Sequence, residues 1–167
     1  MEISDSLFTK NHASDHGAAI VSEGDSNLTL TRVRVVENES WGEGGGVWTH
    51  STRHQKIVDS EIVDNHAGVP HIDEDALMTD DVAGGGGLHL DGGPVLVQGT
   101  LIEKNSATEE GGGLSLNNLG DVVVRDSTIK NNKAYDGGGL ENSATRVTFE
   151  RVLVQSNRAK SAGGGIY

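Results

Sequence analysis

The chain has no cysteine and two prolines, with two residues each of Phe, Trp and Tyr. Without cysteine there are no disulfide staples and no thiolate zinc sites, and the redox compartment stays open. With aromatics at 4% and hydrophobic residues at 34% of 167, little remains to fill a spherical core. Cations are scarce as well: 13 Lys and Arg stand against 25 Asp and Glu, a net charge of −12. Nucleic-acid binding needs clustered cations to neutralise phosphates, so that partner class is excluded. Docking on anionic lipid is disfavoured for the same reason. No apolar run approaches the length of a membrane-spanning helix. Met1 leads straight into a repeat, with no leader pattern ahead of it.

What the chain does have is glycine, 24 in all, and much of it is in register. Triplets start at Gly44, Gly85, Gly111, Gly137 and Gly163, and Gly17-Ala18-Ala19 stands where a sixth belongs. Each follows an asparagine: Asn11, Asn38, Asn65, Asn105, Asn132 and Asn157. A fixed period of roughly 26 residues marks a solenoid, in which each coil packs only on its neighbours. Aligned on the asparagines, the aliphatic columns agree. Eight residues earlier stand Ile3, Leu30, Ile57, Val97, Val124 and Phe149, and three earlier Phe8, Val35, Ile62, Ile102, Ile129 and Val154. Past the glycines come Ile20, Val47, Leu88, Leu114, Leu140 and Ile166. Short stretches of period two surround them, as in Leu114-Ser115-Leu116. The expected fold is therefore all-β, a parallel β-helix of about six coils forming a single domain over 1–167. An acidic insertion over 68–83 lengthens the third coil.

The repeated asparagines are expected to turn inward and form a hydrogen-bonded ladder, since a primary amide carries donors and acceptors along the stack. A smaller column, Ser6, Ser60, Thr100 and Ser127, is expected to make inward hydroxyl contacts, with Val33 and Val152 interrupting it. The triplets are not phosphate loops, because no Lys-Ser or Lys-Thr follows them. Of two glycosylation sequons, at Asn27 and Asn38, the second belongs to the ladder.

Phe8-Thr9-Lys10-Asn11 followed by Gly17-Ala18-Ala19-Ile20 resembles the FxxN and GGAI motifs of polymorphic outer-membrane protein repeats in bacterial autotransporters. Val35 to Asn38 with Gly44 to Val47 follows the same scheme, as does Asn157 with Gly163 to Tyr167. The resemblance implies a right-handed parallel β-helix, a location outside the cell or on its surface, and a role in adhesion or as a structural scaffold. That role is the leading expectation, non-catalytic, and with no cofactor required. No terminal helix or polar capping repeat is visible, so the ends are expected to meet flanking coils, or other copies end to end. The same architecture hosts polysaccharide lyases and glycoside hydrolases. A carbohydrate-active or carbohydrate-binding β-helix, with glycans as partners, is the competing expectation.

Function is expected where the repeat fails. In the insertion, Asp73, Asp75, Asp80 and Asp81 are oxygen ligands of the kind Ca2+ takes, although no EF-hand pattern surrounds them. On the outward face of the strand after the glycines, Trp48, His50, His89, Asp91 and Glu141 would share one strip. A Trp beside imidazoles and carboxylates suits sugar stacking with polar recognition. Within it His89, Asp91 and Glu141 are the candidates for acid and base. The bland alternative is a mixed polar face with Trp48 tucked under the insertion. A third set, His12, Glu39 and His66, follows the ladder asparagines and has zinc-type ligands, but Ser106, Lys133 and Arg158 continue that column.

Overall fold

The computed structural model describes residues 1–51, 53–68, 83–117, 120–144 and 146–167. Among these every regular element is a strand, and every pairing joins strands in parallel one coil apart. Each of the first five coils supplies four strands and the last supplies three. In the second coil they are Leu28–Thr31, Arg34–Val36, Glu39–Ser40 and Val47–Ser51. Three of the resulting sheets have six strands. The fourth has five, extended by an isolated bridge from Leu140 to Ile166. The expected six coils are present.

Register follows the sequence columns. Ile3, Leu30, Ile57, Val97, Val124 and Phe149 are successive partners in the first sheet. Phe8, Val35, Ile62, Ile102, Ile129 and Val154 are partners in the second. With Ile20, Val47, Leu88, Leu114 and Leu140 of the fourth sheet, all but the exposed Phe149 of the last coil join one continuous core in which the middle coils are fully buried. Each such Leu or Ile contributes about 1.5–3 kcal/mol of burial. A parallel sheet with identical side chains at each level allows no slip, since a one-residue shift would turn a whole column outward.

Two polar ladders run beside this core. Each asparagine amide oxygen accepts both the backbone N–H and the Nδ2–H of the asparagine one coil earlier. From Asn65 to Asn105 these bonds are 3.0 and 2.9 Å, and from Asn105 to Asn132 they are 2.9 and 3.1 Å. Nδ2 also donates to backbone oxygens, as from Asn105 to Ile62 at 2.9 Å. The ladder is architecture, and Asn38 is buried within it. The hydroxyl column behaves similarly: Ser127 Oγ accepts from Thr100 N at 3.1 Å and donates to the Arg125 carbonyl at 2.7 Å.

Each coil turns at three left-handed corners. Two carry mostly charged or polar residues, such as Asp59 and Asp64, at φ between 47° and 58°. The third is the first glycine of each triplet. The second glycine serves a different need: a Cβ on Gly86 would lie 2.3 Å from the Ser106 carbonyl oxygen and 2.4 Å from that of Gly112. Outside, ion pairs between neighbouring coils follow the same register. Arg32 grips Asp5 at 2.6 and 2.7 Å, Arg151 grips Asp126 at 2.5 and 3.0 Å, and Arg34 meets Glu61 at 2.7 Å.

Candidate functional site

The fourth sheet carries the outward strip in the predicted register. Trp48 pairs with His89, His89 with Ser115 and Ser115 with Glu141. His50 pairs with Asp91 and Asp91 with Asn117. Four of the five predicted residues therefore sit on adjacent coils. Glu141 is two levels from His89, about 10 Å along the axis.

One expectation is corrected. The strip was expected to face solvent, yet His89 is 3% exposed and Glu141 4%. The cause is the left-handed glycine. At Gly44 it turns the connection back over the sheet so closely that an added Cβ would lie 2.8 Å from the Cβ of Trp48. Gly111 and Gly137 approach Ser115 and Glu141 in the same way, at 2.9 and 3.0 Å. The residue before each such glycine is thereby carried toward the strip. That column reads His16, Glu43, Gly84, Glu110, Asp136 and Ala162. Its members are the functional candidates that the strand pattern missed, and four titratable residues among six positions was the signal that could have found them.

The resulting cluster is organised around Trp48 and His89. The His16 ring stacks on Trp48 at 4.9 Å and 12°, and His50 and His89 lie near-parallel to it at 6.1 and 6.4 Å. Trp48 Nε1 donates to Glu43 Oε2 at 3.0 Å, and His89 Nε2 lies 3.5 Å from the same oxygen. His50 Nδ1 donates to Asp91 Oδ2 at 2.8 Å. Beneath this pair, the buried Gln55 donates to the Asp91 carbonyl at 3.0 Å and accepts from Thr49 Oγ1 at 2.5 Å. Further along the axis, Glu141 accepts from Ser115 Oγ at 3.2 Å and Ser143 Oγ at 2.7 Å.

Two features depart from ordinary packing. The Nδ1 atom of His89 is buried and has no hydrogen-bond partner among the described residues, although buried polar atoms are nearly always satisfied. Ionisation is also redistributed. Burial lowers the His89 pKa, with His16 and His50 adding to the effect and Glu43 and Asp91 opposing it. Burial, then Glu141, Asp136, Glu109 and Glu43, raises that of Glu110. An imidazole that gives up its proton early and a carboxyl that keeps its own are the reactants of acid–base chemistry, and such perturbed groups concentrate at functional sites.

The other candidates fare differently. His12, Glu39 and His66 stack in register. However, the His12 ring meets Trp41 edge-on at 5.3 Å, and His66 Nδ1 lies 2.8 Å from Ser106 Oγ. Among the described residues no three metal-type ligands converge, there or elsewhere. Asp73, Asp75, Asp80 and Asp81 lie outside the described residues.

No curated protein and no solved structure matches the chain. A family model described as a right-handed β-helix region matches residues 1–167. With every residue covered by that match and every strand pairing in parallel one coil apart, the chain belongs to the right-handed β-helix family.

Proposed function

We propose that this β-helix recognises a glycan at the outer face of its fourth sheet, outside the cell or at its surface. The observation that carries the reading is the unpartnered, buried His89 Nδ1 beside Trp48, Glu43 and Asp91. An orphaned buried polar atom costs about 1–3 kcal/mol, which a ligand bonded to it would offset. A sugar supplies hydroxyl groups for the imidazole and the carboxylates. The likeness of the repeats to bacterial surface proteins supports the location.

A glycan array followed by titration with the best ligand tests this. Trp48→Ala and His89→Ala should each weaken binding about tenfold or more while circular dichroism stays unchanged. Binding that survives both substitutions removes the site from the reading. A second reading, a non-catalytic scaffold for adhesion that stacks on flanking coils or other copies, is supported by the asparagine ladder that links all six coils. It expects no glycan response, and rods that lengthen with concentration in sedimentation.

A further inference from the structure

Resting on the glycan reading above, we infer that the ligand is an amino sugar bearing free ammonium groups, not a uronic acid polymer. The observation is how charge is distributed among the coils. Elsewhere among the described residues, Glu37, Asp5, Glu61, Asp25, Glu103, Asp121 and Asp126 pair with Lys or Arg, while Glu2, Glu39, Asp59, Asp64, Glu109 and Glu150 have no such pair. Around the fourth sheet, among the described residues, Glu43, Asp91, Glu110, Asp136 and Glu141 have no ion pair with Lys or Arg; Glu43 and Asp91 meet only histidines. A uronate chain would bring carboxylate against carboxylate there, and like charges at close range repel strongly where water is excluded. An ammonium group instead supplies the missing counter-charge.

The orphaned atom agrees. His89 Nε2 lies 3.5 Å from Glu43 Oε2 and 3.4 Å from Asn117 Nδ2; in the tautomer whose Nε2 proton is directed at Glu43, Nδ1 carries a lone pair that accepts from an ammonium or hydroxyl donor. A bare metal ion does not fit, because no three ligands of the metal type converge among the described residues. The charge belongs on an organic framework that spans several carboxylates at once. Successive coils present them about 4.8 Å apart along the axis.

Isothermal titration with three hexasaccharides, of glucosamine, N-acetylglucosamine and galacturonic acid, separates the possibilities. The glucosamine oligomer should bind about tenfold or more tightly than the acetylated one, with the advantage shrinking in 0.5 M salt. Asp91→Asn and Glu141→Gln should each erase most of that advantage, read as the ratio of the two affinities. Equal binding of the acetylated and free forms, or preference for galacturonate, overturns the ammonium inference and leaves the glycan reading in place. If none of the three binds, the glycan reading itself falls.

Discussion

Replacing Asn105 by Ala tests whether the asparagine ladder holds the solenoid together. Asn105 is fully buried, and its side chain takes part in four hydrogen bonds. Oδ1 accepts from Asn65 N at 3.0 Å and Asn65 Nδ2 at 2.9 Å, while Nδ2 donates to Asn132 Oδ1 at 3.1 Å and the Ile62 carbonyl at 2.9 Å. Two of the stranded groups keep other partners. Asn65 Nδ2 still reaches the Val35 and Val63 carbonyls, and Asn132 Oδ1 still accepts from the residue 105 backbone. The Asn65 backbone N–H and the Ile62 carbonyl each lose a buried partner. At about 1–3 kcal/mol per orphaned group, with a little lost packing, the cost is about 3–5 kcal/mol. That is a large share of the roughly 5–15 kcal/mol of an ordinary domain. Asn157→Ala removes the equivalent bonds from a half-buried site where water can replace them, and should cost about 1 kcal/mol.

Urea unfolding followed by far-ultraviolet circular dichroism measures both variants, and an unchanged m value would show that the same surface is exposed. Asn105→Asp separates acceptor from donor. It keeps the bond to Asn65 N but sets an oxygen against the Ile62 carbonyl, so its deficit should shrink on acidification as the carboxyl regains a proton. An Asn105→Ala cost below about 1 kcal/mol, or equal costs at Asn105 and Asn157, would refute the ladder argument.

Two further outcomes follow from the same geometry. Gly86→Ala places a Cβ 2.3 Å from a backbone oxygen that cannot step aside, whereas at Gly24 nothing lies within 4 Å and only the positive φ is strained. Gly86→Ala should therefore lower stability by about 3 kcal/mol or more and Gly24→Ala by about 1–2 kcal/mol in the same urea assay; equal costs would refute the steric account. Burial also lowers the pKa values of His66 and His89. Below about pH 6.5 the unfolded chain binds imidazole protons that the folded chain still refuses, so the melting temperature should fall with pH through that window. Glu110, held protonated above the usual carboxylate range, works in the opposite direction at lower pH. His89→Gln should flatten the imidazole slope, and a profile that rises between pH 7 and 6 would refute it.

The architecture was legible because every structural column repeats one residue type at one spacing. Val35 above Ile62, or Asn65 above Asn105, needs no information beyond the period, and parallel pairing turns that period into contact. The 40-residue step between those two asparagines did not obscure it, since the insertion leaves the register on both sides intact. The site was half legible. Trp48, His50, His89 and Asp91 were placed together by strand alternation, and the structure agrees. The burial of His89 and Glu141 was not legible, because alternation tells which face a side chain takes and not what lies over that face. The covering element is the connection ahead of the glycines, and its path depends on a left-handed φ that sequence spacing does not display. Hence His16, Glu43 and Glu110 went unnamed. Gln55 was equally hidden at a level occupied by Leu28 and Val95 in neighbouring coils, its cost offset by Thr49 and the Asp91 carbonyl.

The ladder is also a vector. From Asn11 to Asn157 every rung donates toward the following coil and accepts from the preceding one, without a reversal. The amide dipoles therefore add along the axis, and each bond polarises the next, by about 10–30% in chains of this kind. A level inserted upside down would oppose oxygen to oxygen and break the line, whereas a level copied in frame meets the same donors and acceptors as its template. Tandem duplication of a 27-residue unit is thus a lengthening step that requires no redesign at the new joint.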